Sequence, residues 1–459
     1  MKGAWLAAGA ILLTACSGTD GTSVEPTYTT IATREFPPAP ATPTGPNDAA
    51  AARFGEILEP LQLGIVEISE IDAFVDAGDA RHAWLISDLL RFVQQGTVAD
   101  SMLDGFGTLT GVDITDDPFI DRSPWNVATN HLIAWDTPAP PEYQRLKGEL
   151  FTLVDERWAP FFNDVDSDID WRWLSWGGVR LDDRPLGDSA SCARGCIPSL
   201  DDPLLVPAAE GDWYPDEAIV FGVTEGDEAV ALPKNIMQVH EMVNITIGGR
   251  RLGIPYCTLC GSAQAFYTDE VPDEFEPPVL RTSGLLSRSN KVMFDLNTTS
   301  AFDTFTGAAV SGPLREAGVV LQQNSVTVST WGEWKAAHPD TRIVAEGGGI
   351  GRRYSDDPLA GRDDDGPIFP IGDADPRLEV HAAVVGVLLD DGTTIAFDVE
   401  SARSVLADGD EVELGRVSLH PEGGGFTVES DGVELPSHEA FWFAWSQFHP
   451  DTLLWPNDA

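Results

Sequence analysis

The stretch "AIVFGVTEGDEAVALPKNIMQVHEMVNITIGGRRLGIPYC" (218–257) decides how this chain folds. Its runs "AIVFGV" and "EAVALP" flank Thr224-Glu225-Gly226-Asp227, and "ITI" and "RLGIPYC" flank Gly248-Gly249. Apolar, β-branched runs joined by short glycine-bearing turns predict two hairpins. Between them, "NIMQVHEMVN" predicts a short helix: Ile236, Val239, His240 and Val243 stand three, four and seven positions apart, on one face. His240 is therefore expected to point inward with its apolar neighbours.

A second regularity lies downstream. Trp331-Gly-Glu-Trp334-Lys-Ala-Ala-His338-Pro-Asp-Thr341 recurs at identical spacing as Trp442-Phe-Ala-Trp445-Ser-Gln-Phe-His449-Pro-Asp-Thr452. Hairpin-like segments precede each copy, "AIVFGVTEGDEAVALP" near 218 and "AAVVGVLLDDGTTIAF" near 382. Recurrence of one pattern at a fixed internal spacing predicts a duplicated unit. The expected fold class is α+β: a β-rich domain at 190–455 in two related halves, about 190–345 and 375–455. From Ala50 onward the period is helical, clearest in "DARHAWLISDLLRFVQQG" (79–96), and predicts a helical accessory domain at 50–185.

The N-terminus has the outline of an export signal. One lysine precedes an apolar run from Ala4 to Leu13, and Leu13-Thr14-Ala15-Cys16 resembles a lipoprotein lipobox. Residues 1–16 are thus expected to be a signal peptide, with Cys16 lipidated. Residues 17–48, rich in Thr, Pro, Ser and Gly, are expected to form a disordered tether. The predicted location is the cell envelope, outside the cytoplasm, with the membrane reached through the lipid anchor alone. The balance of 28 basic against 74 acidic residues, a net charge of −46, repels polyanions and argues against a nucleic-acid partner. It identifies no protein partner.

Apart from Cys16, the cysteines form two close pairs, Cys192/Cys196 and Cys257/Cys260. Export permits disulfides, and the first pair, in a polar loop, is expected to form a local one. Cys257 and Cys260 with an inward His240 supply three soft or borderline ligands, which suit zinc or copper. The same pair could cycle between thiol and disulfide, with His240 lowering a thiol pKa, or serve only as structural cysteines in a non-enzymatic envelope or binding protein. Glu241 should face away from His240, beside such a centre or on the surface. Asp164, Asp166, Asp168 and Asp170 alternate like the start of a calcium loop, but Ile169 and Ser175 occupy positions where such a loop needs glycine and glutamate. "GRDDDGP" (361–367) reads as an acidic turn, and no nucleophile elbow or zinc-protease helix is present.

In their order, "GCIPSLDDP", "VALPKNIMQVHEMVNITIGGRRLGIPYCTLCGSAQAF", "RTSGLLSRSNKVMFDLNTTS", "STWGEWKAAHP", "RRYSDDPL" and "FWFAWSQFHPDT" make residues 195–453 resemble the bacterial domain of unknown function 3179. The resemblance brings no settled activity. It implies that His240, Glu241, Asn244, Tyr256, Cys257, Cys260 and Gly261 belong to the family's pattern, so that Glu241, Asn244 and Tyr256 are expected around the centre. Two departures stand out: Gly195-Cys196 replaces the family's Asp-Gly before "IPS", and Thr258-Leu259 replaces its proline between the cysteines.

Overall fold

The computed structural model describes residues 35–363 and 366–458. The expected leader, with Cys16, lies outside the described residues, as does the tether up to residue 34. The chain divides into two compact units, one running to Val154 and resuming for residues 366–373, the other taking the rest.

The first unit is helical, with its longer helices at Asp48–Leu61, Ile68–Ala77, Ala83–Phe92, Thr97–Thr110, Pro124–Ala134 and Tyr143–Thr152. Their ends follow local chemistry. The Asn47 side chain accepts from the Ala50 N–H, Ser123 caps a helix that begins at Pro124, and Gly111 ends another in the left-handed region. Inside, Lys147 and Asp88 form a buried ion pair at 2.9 Å, and the Tyr143 hydroxyl donates to the same carboxylate at 2.7 Å. Segment 366–373 joins this unit through Asn130, whose side-chain oxygen accepts from the Ile371 and Gly372 N–H groups at 2.9 and 2.7 Å.

The second unit corrects the expected α+β class. It consists of five small sheets in a propeller-like arrangement, while the helices are mostly N-terminal. The tryptophan motif does not divide this domain into halves, because its two copies account for two sheets only. In one, the hairpin Ile219–Glu225/Glu228–Pro233 is flanked by Thr327–Thr330, which leads into the helix Trp331–Ala337; Arg342–Val344 then returns parallel to Glu228–Pro233. In the other, Ala383–Leu388 and Thr394–Asp398 are flanked by Ser437–Phe441, the helix Trp442–Phe448 and a parallel Leu453–Trp455. The motif's chemistry explains the likeness. Trp334 and Trp445 donate from Nε1 to Thr341 and Thr452 Oγ1, each at 3.0 Å, and the ring of each histidine lies 4.1 to 4.3 Å from its tryptophan. The other three sheets are built differently. One pairs Leu174–Trp176 with Leu280–Ser287, Asn290–Asp295 and Ala301–Asp303. A second is centred on Met242–Ile247 and Arg250–Cys257, and the third is a meander over 412–435.

The hairpin turns fall at Gly226-Asp227 and Gly248-Gly249, and the helix between them spans Lys234–His240. The main core of this unit collects Phe221, Val223, Ile236, Val243, Ile254 and Tyr256 from these elements. Three of the four alternating aspartates are spent on protein partners: Asp164 accepts from the Gly312 N–H at 2.8 Å, Asp168 pairs with Arg315, and Asp170 with Arg172. No helix among the described residues is long and apolar enough to cross a membrane.

Candidate functional site

Strand Arg250–Cys257 ends in a tight reversal. The Cys260 N–H donates to the Cys257 carbonyl at 3.2 Å, and Gly261 adopts φ +61°, after which Ser262 pairs back onto Cys257. A side chain at Gly261 is excluded twice, by that backbone angle and by the Phe441 ring, which a Cβ would meet at 2.9 Å. The Phe441 N–H also donates to the Cys260 carbonyl at 2.8 Å, fixing the turn against strand Ser437–Phe441.

Cys257 and Cys260 are free thiols, 2% and 0% exposed. Facing them is the turn Arg288-Ser289, which joins Leu280–Ser287 to Asn290–Asp295. Both turn residues have positive φ, 51° and 61°, although neither is the glycine or asparagine that this geometry favours, at a cost of about 1–2 kcal/mol each. The turn presents the Ser289 carbonyl to both thiols, 3.4 Å from Cys260 Sγ and 3.8 Å from Cys257 Sγ.

A charged network closes the site. Lys291 Nζ lies 3.1 Å from Glu241 Oε2 and also donates to the Glu241 carbonyl. The Thr258 hydroxyl donates to Glu241 Oε1 at 3.0 Å and accepts from Arg362 at 2.7 Å; Arg362 also reaches the Thr258 carbonyl and pairs with Asp363. Burial alone would raise both thiols. At Cys257 burial and the nearby Glu241 carboxylate, which also raises it, are outweighed by the hydrogen bond from Cys260, the Lys291 N–H and the Lys291 ammonium, so this thiol is lowered. Cys260, buried and donating to its neighbour, is raised well above the ordinary range. Of the two sulfurs, Cys257 is therefore the one that gives up its proton more readily.

His240 is buried as its spacing implies, yet it does not join the cysteines. Its Nδ1 lies 2.6 Å from the Pro198 carbonyl, which can only accept, so Nδ1 carries the proton and Nε2 accepts from the Tyr354 hydroxyl at 2.7 Å. Both nitrogens are used, and burial pushes the ring's pKa down to about 4. Among the described residues, His240, Cys257 and Cys260 form no group able to share a metal; the group whose ligand atoms do converge is Asp182, Cys192 and Cys196. There the cysteines are joined in a disulfide with a Cα separation of 5.4 Å, and Asp182 is held by Arg184 at 2.7 Å and by the Ser199 N–H at 2.9 Å.

Of the other expected neighbours, Glu241 meets the site through Lys291 and Thr258. Asn244 instead braces the sheets, bonding Asp201 and both backbone groups of Leu280, and Tyr256 packs on Phe221 with ring centroids 4.6 Å apart. Sequence reasoning missed Lys291, Arg362 and the Ser289 carbonyl. A lone lysine in "NKVMFD" was the available signal, since a charge amid buried strand residues needs a partner.

Two expectations follow. Replacing Cys192 and Cys196 with serine should cost about 2 kcal/mol or less, because the closed loop is short; a denaturant titration checks this, and a loss well above that value contradicts it. Lys291→Met should raise the Cys257 thiol pKa and destabilise the fold by about 3 kcal/mol through the abandoned Glu241, while Lys291→Arg restores part of both. Thiolate ultraviolet absorbance against pH reads the first effect, and an unchanged titration would refute the role given to Lys291.

A family model described as "Protein of unknown function (DUF3179)" matches residues 194–421. No curated protein and no solved structure matches the chain.

Proposed function

For residues 194–421, which belong to the DUF3179 family, we propose a reversible thiol–disulfide centre at Cys257 and Cys260, carried by an extracytoplasmic protein tethered through Cys16. One observation carries the reading: two free, buried sulfurs sit in one turn, where the Cys260 thiol and Lys291 favour loss of the Cys257 proton. An acidified first cysteine and a proton-holding second one suit exchange, because the thiolate attacks and the other thiol resolves the mixed disulfide. Oxidation joins the sulfurs and passes two electrons and two protons to a disulfide acceptor, whose sulfurs leave as thiols.

The test is equilibration of the full chain in dithiothreitol buffers of graded poise, followed by thiol alkylation and mass measurement. Cys257 and Cys260 should lose their alkylation together at one midpoint, and Cys257→Ser should abolish that transition. Two thiols that stay free at the most oxidising poise would refute the centre.

A second reading keeps a soft metal. Two adjacent sulfurs without a nitrogen ligand suit copper(I) better than four-coordinate zinc. Copper bound one to one by protein purified without a histidine tag, and lost in Cys257→Ser, would favour it.

The tether makes its own prediction. Cys16→Ser should move the protein from the membrane fraction to the soluble one, since lipidation needs that sulfur; unchanged membrane association would contradict the anchor.

A further inference from the structure

On and against the strand that pairs with Cys257, three buried polar groups have no partner within the protein. Ser262 is directly opposite Cys257 in an antiparallel ladder, so hydroxyl and sulfur project to the same face; the residue is 1% exposed and its Oγ bonds nothing. Gln264, fully buried, continues that ladder through its N–H to the Pro255 carbonyl and returns to the same face. Its amide nitrogen donates to the Phe305 carbonyl at 3.2 Å, while Oε1 has no partner.

The third group is His438, 3% exposed, on the strand that packs against Ser262–Ala263. Its ring meets that same Phe305 edge-on at 5.5 Å. Its Nδ1 lies 2.9 Å from Gln323 Nε2, which can only donate, so Nδ1 accepts and the unpartnered Nε2 carries a hydrogen. Burial pushes this ring's pKa to about 3, which keeps it neutral. The face that carries the Cys257 sulfur thus offers a hydroxyl and an amide oxygen, and the strand packed against Ser262–Ala263 offers an imidazole N–H. Buried polar groups are paired in native proteins with few exceptions, because leaving them unpaired is costly.

We propose that this face binds a small disulfide bearing amino-acid or amide groups, which pair with Ser262, Gln264 and His438 while one of its sulfurs meets Cys257. The proposal rests on the thiol–disulfide reading and names its substrate class. Burial decides the size: with both sulfurs at 2% exposure or less, a small disulfide needs a far smaller opening of the fold to reach them than a disulfide fixed in a folded protein does. The Cys257 thiolate attacks one substrate sulfur, breaking the S–S bond and releasing one thiol after protonation. Cys260 then gives up its proton and attacks Cys257 Sγ, which releases the second thiol. One disulfide is reduced to two thiols, and one forms in the protein.

The probe is cystine, set against bis(2-hydroxyethyl) disulfide, which lacks amino-acid groups, and against insulin as a protein disulfide. Appearance of the Cys257–Cys260 bond in the reduced full chain is followed by mass spectrometry. Gln264→Leu should slow oxidation by cystine about tenfold, the factor one buried hydrogen bond is worth, and leave the rate with bis(2-hydroxyethyl) disulfide unchanged. Ser262→Ala, a smaller change, repeats the test should Gln264→Leu fold poorly. Equal cystine rates in the variants and the parent would mean that the groups hold only water, and would overturn the proposal. So would faster oxidation by insulin. A normal dithiothreitol midpoint with either result leaves the thiol–disulfide reading standing; absence of a midpoint removes both.

Discussion

Gly386→Ala is expected to destabilise the sheet unit by about 3 kcal/mol or more, because a Cβ at Gly386 would lie 2.0 Å from Cζ3 of Trp445, and overpacking a filled core forces side chains or backbone to shift. Trp445 is 1% exposed and tied to Thr452, so its ring has nowhere to go. Gly222 stands in the same relation to Trp334, at 2.3 Å from its Cζ3, and Gly222→Ala should behave alike. Adding Trp445→Leu to Gly386→Ala should recover part of the loss, as contacting residues do in a double-mutant cycle. Denaturant midpoints measure all three, and a Gly386→Ala protein within about 0.5 kcal/mol of the parent would refute the close fit.

The second large effect is acid lability. Burial lowers His240 and His449 to about 4 and His438 to about 3, against a free value of about 6.5. Between those values the unfolded chain binds protons that the folded chain refuses, so stability is fully present above about pH 6.5 and is lost as the pH falls toward 4. At about 1.4 kcal/mol for each pKa unit, His240 alone accounts for about 3 kcal/mol at the acid end. Carboxylates lowered by arginine partners, such as Asp79 and Asp155, add their loss at still lower pH. Urea midpoints at pH 7 and pH 5 should differ clearly, and His240→Gln should flatten the dependence. A His240→Gln protein with the parental slope would show that this imidazole is not responsible.

What could be read from sequence was local. Helical spacing put His240 on a buried face, where the structure has it, and the repeated tryptophan motif marked two short helices that the structure builds alike. Four positions and a polar loop sufficed for Cys192 and Cys196. Partners distant in sequence were not legible. Nothing near His240 announces that Pro198 and Tyr354 take its two nitrogens, and nothing in "GRDDDGP" marks Arg362 as the residue that turns back to Thr258. The fold class failed for the same reason. Recognising a repeated motif does not reveal that Leu174–Trp176 pairs with Leu280–Ser287, or that Leu200–Asp201 joins Met242–Ile247 in parallel. Such pairings depend on which edges meet, and alternation along a strand carries no record of its neighbour.

Residues 366–373 have a consequence for how such a protein can be inherited. The chain passes from one unit to the other after Val154, returns to the first after Asp363, and leaves it again after Asp373. No single breakpoint in the gene separates the two. A fragment that starts at residue 155 still encodes a strip of the helical unit, now without Asn130, whose side chain receives the Ile371 and Gly372 N–H groups. The match over 194–421 includes this strip. Recombination that moves the sheet unit into a new gene must therefore excise ten codons from its middle as well, or carry the helices along.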